Sequence, residues 1–107
     1  MEPKELKSLT RIESYLYGII HGGSVPDPPL SRIEAFLSAI KAGIVCDLEP
    51  VTREELFLSL ISGRAVSTPE PITRIELFLA YIAGVNVELP IPNSRIEIYL
   101  HEWAMLR

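Results

Sequence analysis

The stretch PITRIELFLAYIAG, residues 71–84, decides the fold because related stretches recur at a spacing of 21 residues. Each copy carries an arginine and, two positions later, a glutamate. The arginines are Arg11, Arg32, Arg53, Arg74 and Arg95, and the glutamates are Glu13, Glu34, Glu55, Glu76 and Glu97. The copies lie near residues 9–29, 30–50, 51–71, 72–92 and 93–107, so the repeat accounts for most of the 107-residue chain. The sequence therefore predicts a single repeat domain over 1–107.

Every copy begins with the pattern of a helix N-terminus. A serine or threonine precedes each arginine, and a glutamate follows it three residues later, which is the capping-box pattern. These capping residues are Thr10, Ser31, Thr52, Thr73 and Ser94. Prolines two residues earlier favour an extended backbone before the cap. In the middle copies an apolar residue before the cap is expected to pack on the fourth helical residue: Leu30 on Ala35, Val51 on Leu56, and Ile72 on Leu77.

Each predicted helix carries an apolar stripe at the spacing i, i+3, i+4 and i+7. The stripe residues are Ile12, Tyr15, Leu16, Ile19, Ile33, Phe36, Leu37, Ile40, Phe57, Leu58, Ile61, Ile75, Phe78, Leu79, Ile82, Ile96, Tyr99, Leu100 and Trp103. Copy three has Glu54 where the others have isoleucine. Glycines near Gly22, Gly43, Gly63 and Gly84 favour helix ends. The fold class is therefore all-α, with five helices of about 11 residues, roughly 16 Å each, joined by extended, proline-containing connectors.

A repeat with one helix supplies only one layer, and helices this short need a partner for their stripe. Two arrangements satisfy that need. The connector can cover the stripe in a compact solenoid, or several chains can pair their stripes about a shared axis. The repeated Ile-aromatic-Leu-Ile pattern favours the second arrangement, an elongated three-chain supercoil in which the stripe residues form the oligomer seam.

The repeated arginine occupies the first helical position, where the helix dipole disfavours a cation. Its recurrence in all five copies predicts a partner for the guanidinium. We expect that partner to be the glutamate of a neighbouring chain, or the free carbonyls at another helix end. The ten arginines and glutamates of the repeat are therefore predicted as inter-chain or register contacts. The alternative is a solvated arginine inherited by duplication.

The composition and the residue content do not indicate nucleic-acid binding, membrane insertion or catalysis. The net charge of −4 and the pI of about 5.1 do not fit nucleic-acid binding, and no apolar run approaches a membrane span. His21 is expected at a helix end and His101 on a solvated face, while Cys46 is expected to be a buried hydrophobe. Trp103 is expected to close the open end of the core. No catalytic residue, metal ligand or cofactor is predicted, and the chain is expected not to be an enzyme.

The run PITRIELFLAYIAG, with the looser copy PLSRIEAFLSAIKAG, resembles repeats in structural proteins of tailed bacteriophages, above all head-fibre proteins. The resemblance covers essentially the whole chain. It implies a homotrimeric virion component, either a capsid fibre or a decoration protein, made in the bacterial host cytoplasm and docked on a phage capsid or another virion protein. Such fibres carry a separate capsid-binding base and a distal head, and neither is recognisable here. The alternative function is a monomeric repeat-type protein–protein adaptor.

Overall fold

A computed structural model describes residues 10–106 and contains five α-helices in that range. The helices are α1 Arg11–His21, α2 Arg32–Ala42, α3 Arg53–Ser62, α4 Arg74–Ile82 and α5 Arg95–Met105. No strand lies among the described residues. The all-α class and the five helices are therefore as predicted. Residues 1–9 and Arg107, which the sequence assigns to the repeat domain, lie outside the described range.

Each helix begins at the predicted cap. The hydroxyl of the serine or threonine accepts a hydrogen bond from the backbone N–H of the repeat glutamate in all five copies. Such a cap stabilises a helix because it satisfies a backbone donor that has no partner within the helix. Gly43 and Gly63 end α2 and α3 in the left-handed conformation, which a residue without a Cβ adopts at no steric cost.

The five helices form a closed ring. Helices that follow each other in the chain pack together, and α1 packs against α5, so that every helix has two neighbours. The described part of the chain measures 39 × 31 × 20 Å. The expected elongated supercoil is therefore wrong for the single chain: five copies of a one-helix repeat return to their starting point and bury the stripe around one axis.

All five helices run in the same direction. The first-turn arginine of each helix bonds to the first-turn glutamate of the next, and Arg95 of α5 bonds to Glu13 of α1. All helix N-termini therefore lie on one face of the ring, called here the N-terminal face. Connectors of about ten residues reach about 33 Å when extended, which is ample to return along a helix of about 16 Å.

The core has an inner and an outer part. Leu16 and its equivalents face the ring axis, while the aromatic of each stripe lies between neighbouring helices. The aromatic rings of Tyr15, Phe36, Phe57 and Phe78 are completely buried. Connector residues pack over this outer layer: Val85, Val87 and Leu89 are half-buried and alternate with exposed residues. The connectors thus cover the aromatics while the helices cover the axis.

Candidate functional site

Five arginine–glutamate pairs encircle the N-terminal face, and we call them the Arg–Glu belt. In the pair between α1 and α2, Arg11 Nη2 lies 3.0 Å from Glu34 Oε1 and Nε lies 3.1 Å from Oε2, a bidentate contact. The same pairing joins Arg32 to Glu55, Arg53 to Glu76, and Arg74 to Glu97, at 2.8–2.9 Å. Bidentate pairs fix direction as well as distance, so the belt sets how each helix meets the next.

Each of these arginines also holds the connector that follows its own helix. Arg11 Nη2 donates to the carbonyl of Pro28 at 2.8 Å. Arg32, Arg53 and Arg74 donate to the equivalent carbonyls of Glu49, Glu70 and Ile91. One guanidinium therefore joins three segments: its own helix, the next helix and the connector between them. The expected partners were a carboxylate of a neighbouring chain or the free carbonyls at another helix end, whereas the observed partners are a carboxylate of the next helix and a connector carbonyl of the same chain.

The glutamates accept more than the guanidinium. The carboxylate of Glu34 accepts the backbone N–H of Leu30 at 2.7 Å, and that of Glu76 accepts the N–H of Ile72 at 2.9 Å. Glu55 and Glu97 make the same bond to Val51 and Asn93. The reciprocal bond of the capping box, to the N–H of the cap itself, is formed by Glu13 with Thr10. In the other four copies the carboxylate accepts the N–H of the residue before the cap.

These contacts favour the charged form of the glutamates. The hydrogen bond from the Arg32 side chain lowers the pKa of Glu55 from its ordinary value, although burial works in the opposite direction. Arg53 likewise lowers the pKa of Glu76. The pKa values of Glu34 and Glu97 are lowered by their arginines and by backbone N–H donors. These four glutamates are therefore ionised at neutral pH, as buried carboxylates with paired cations are expected to be.

The fifth pair closes the ring. Arg95 Nη2 lies 3.0 Å from Glu13 Oε1, although the two residues are 82 positions apart in sequence. The side chain of Arg95 is 59% exposed, compared with 40–44% for the other four arginines. At the opposite end of the same junction His21 Nε2 lies 3.3 Å from Glu102 Oε2. The helices farthest apart in the chain are therefore joined at both ends.

The residues predicted as an oligomer seam are brought together within one chain. Most of them form the buried core or pack directly against it. Several chains were expected because a single layer of helices leaves its apolar stripe uncovered. In the closed ring the stripe is covered by the other helices of the same chain. The Arg–Glu pairs predicted between chains are likewise formed inside the chain.

A cavity of about 220 Å³ lies on the ring axis, and we call it the axial cavity. Its lining residues are Ile12, Leu16, Ile33, Leu37, Glu54, Leu58, Ile75, Leu79, Ile96, Leu100 and Trp103. All five helices contribute their first- and second-turn stripe positions, and Trp103 contributes from the third turn of α5. Glu54 is the charged exception in this lining. The adjacent Arg53 interacts with Glu54 electrostatically, while its guanidinium forms an ion pair with Glu76.

The remaining candidate residues have structural environments. Cys46 is buried, as expected. Trp103 is buried at the axis, which agrees with closure of the core. His101 was expected to be solvated, but it is half-buried with its ring edge-on to Phe78 at a centroid distance of 6.3 Å. The expectation was wrong because the preceding helix, α4, faces this side of α5.

Four large apolar side chains stand exposed around the N-terminal face, and we call them the apolar rim: Leu30, Val51, Ile72 and Ile91. They are 69–85% exposed. Leu30, Val51 and Ile72 each directly precede a helix cap. They were expected to pack on the fourth helical residue, but their exposure shows that they do not bury themselves there. The equivalent Leu9 of the first copy lies outside the described residues.

Comparison of the chain with protein-family models, curated proteins and solved structures finds no match. Over residues 10–106 the helices are all too short, or too polar, to cross a membrane. The same range holds no group of three or more His, Cys, Asp or Glu side chains arranged to bind a metal ion. The fold and the side chains therefore define a closed ring of five parallel helices with an ionic belt, an axial cavity and an apolar rim.

Proposed function

We propose that the protein is a non-catalytic docking module that acts as a single-chain ring and binds a protein partner through the apolar rim. The observation that carries this proposal is the exposure of Leu30, Val51 and Ile72, three large apolar side chains at equivalent positions. Large apolar side chains exposed at the same position of successive copies favour an interaction surface, because leaving them in water is unfavourable. Their regular placement favours a partner with a broad surface over a small ligand.

The belt supports the same proposal. The arginines and glutamates beside the rim bond to each other and to the backbone. Their hydrogen-bonding groups are already used in contacts within the ring. A partner that bonded to them would have to replace these contacts and would gain little. We infer that the rim supplies the contact area and that the belt fixes the positions of the rim residues.

The resemblance of the repeat to phage head-fibre repeats makes a virion surface the partner of first choice. On this proposal the chain is a capsid-associated structural protein, and its ring is one docking unit. The homotrimer implied by the same resemblance stays a prediction, and the rim is the surface through which rings would associate.

Light scattering during size-exclusion chromatography tests the single-chain part of the proposal. We expect a mass near 12.0 kDa, whereas three times that mass would support the trimer and contradict the monomeric ring. The test should include a range of protein concentrations, since association through the rim depends on protomer concentration.

Co-sedimentation with particles of the phage that carries the gene tests the partner. We expect wild type to sediment with the particles and the triple variant Leu30→Ser, Val51→Ser, Ile72→Ser to stay in the supernatant. A matched control changes three exposed polar connector residues, Ser24→Ala, Asp47→Asn and Asn86→Ala, and should sediment like wild type. Failure of wild type to sediment would contradict a virion partner, and equal sedimentation of the triple variant would contradict docking through the rim.

A further inference from the structure

The axial cavity has the composition of a ligand site for a short alkyl chain. Apart from Glu54, its lining consists of aliphatic side chains and Trp103. Apolar cavities of this order of size stay dry and bind small apolar molecules, since water finds too few hydrogen-bonding partners inside them. Leu16 and its equivalents in the other helices are only 2–4% exposed. The walls of the cavity therefore consist of tightly packed side chains.

The cavity has one closed end and one accessible end. Trp103 comes from the third turn of α5 and is 6% exposed, so it forms the floor at the C-terminal side of the ring. Apart from Trp103, the lining residues come from the first and second turns of the helices, which places the mouth at the N-terminal face. In α5 the lining residues Ile96, in the first turn, and Trp103 lie seven positions apart. At the rise of an α-helix this corresponds to a cavity depth of about 10 Å.

Glu54 gives the mouth a charge. It occupies the first turn of α3, at the position that is isoleucine in the other copies, and it is half-buried. Within residues 10–106 its carboxylate has no hydrogen bond or ion pair, in contrast to the adjacent Glu55, which bonds to Arg32. A carboxylate at a helix N-terminus is favoured by the helix dipole, and Arg53 interacts with it electrostatically without forming a direct ion pair.

We propose that the axial cavity binds a small cationic amphiphile, with an alkyl chain along the axis and an ammonium group on the carboxylate of Glu54. An anionic head group is disfavoured because it would meet Glu54 at the mouth. A neutral alcohol of the same length gains burial of the chain without the charge interaction. The order of affinity is therefore ammonium, alcohol, carboxylate.

Trp103 provides the readout, because it is the only tryptophan in the chain and forms the cavity floor. Wild type is titrated separately with n-hexylammonium, n-hexanol and n-hexanoate while tryptophan emission is followed, and the thermal midpoint is measured at each end point. We expect saturable emission changes and raised midpoints for the ammonium and the alcohol, since a ligand that binds the folded state stabilises it. No change with any of the three probes would overturn the cavity as a ligand site.

Glu54→Gln tests the charge, with Glu88→Gln as the matched control at an exposed connector carboxylate. We expect Glu54→Gln to weaken n-hexylammonium binding by about two- to fivefold, the range of a partly exposed charge pair, and to leave n-hexanol binding unchanged. Glu88→Gln should change neither. Equal binding of the ammonium and the carboxylate by wild type, or unchanged ammonium binding by Glu54→Gln, would overturn the assignment of the head group.

Discussion

Four junctions of the ring join helices that follow each other in the chain, and the fifth joins its two ends. The pairs Arg53–Glu76 and Arg95–Glu13 have nearly the same geometry, at 2.9 and 3.0 Å. A connector spans the first junction, whereas α5 and α1 meet without one. The geometry of helix pairing therefore belongs to the helix faces and the belt, because it recurs where the chain does not enforce it.

The junction between α5 and α1, called here the closing junction, is nevertheless less buried than the other four. Arg95 is more exposed than the other repeat arginines. Tyr99 is only half-buried, while Tyr15, Phe36, Phe57 and Phe78 are fully buried. A connector therefore helps to bury the aromatic side chains, and it has little influence on how the two helices are oriented. Because the closing junction has no connector, it should be the weakest junction in the ring.

Removal of the last copy tests whether closure is needed at all. Deletion of residues 93–107 removes α5, leaves one face of α1 and of α4 without its partner helix, and opens the axial cavity. We expect the largest effect of any change considered, namely loss of cooperative unfolding by circular dichroism. A truncated chain that still melts cooperatively would show that four helices fold without closure.

Truncation of one aromatic compares the two kinds of junction directly. Phe57→Ala removes a fully buried ring and should lower the free energy of unfolding by about 3–5 kcal/mol. Tyr99→Ala, at the closing junction, should lower it by less because that ring is half-buried. Urea denaturation measures both variants. In a monomeric ring both midpoints are independent of protein concentration, and a larger loss for Tyr99→Ala would contradict the ranking of the junctions.

Acidification tests the ionic contribution of a connector-spanned junction. The hydrogen bond from Arg53 holds the pKa of Glu76 below its ordinary value of 4.5 in the folded ring. Its contribution to stability is therefore complete above that value and is lost as the pH falls through the lowered folded pKa. Glu76→Gln should cost about 1–2 kcal/mol at neutral pH. Urea midpoints measured from about pH 7 to about pH 3 should fall less steeply for the variant than for wild type, and parallel curves would contradict this role.

The smallest expected effect concerns Ser59, whose hydroxyl is buried in α3 without a hydrogen-bond partner among the described residues. Ala80 occupies the equivalent position in α4 and is also fully buried. Ser59→Ala should leave stability unchanged or raise it by up to about 1 kcal/mol, because an unsatisfied buried hydroxyl is removed. A clear loss of stability in the thermal melt would reveal a partner for the hydroxyl.

The helices were predictable because their signals are local. Thr73 and Glu76 lie three residues apart, so the cap can be read within one copy. The stripe was equally clear, since Ile75, Phe78, Leu79 and Ile82 fall on one helical face. Even the exceptional position of Glu54 in the stripe was visible. The alternation of Val85, Val87, Leu89 and Ile91 predicts a connector that packs down; the first three are half-buried as predicted, but Ile91 is exposed.

Closure of the ring was not predicted, because it depends on an angle between helices that no single copy contains. Two observations bear on it. Arg53 and Glu76 lie 23 residues apart, one repeat plus the two-residue step within a copy, so the belt pairs each helix with the next. The connectors are also long enough to return along a helix, which allows parallel neighbours. The number of helices that completes one turn follows from packing geometry, and the sequence pattern does not state it.

The distance between α1 and α5 within one chain tests closure most directly. Spin labels at Cys residues introduced as His21→Cys and Glu102→Cys, in a Cys46→Ala background, report that distance by pulsed electron resonance. Dilution with unlabelled protein restricts the signal to pairs within one chain. A closed ring predicts a short distance near the ~10 Å spacing of packed helices, lengthened by the label arms. A broad or long distance that persists after dilution would contradict the single-chain ring.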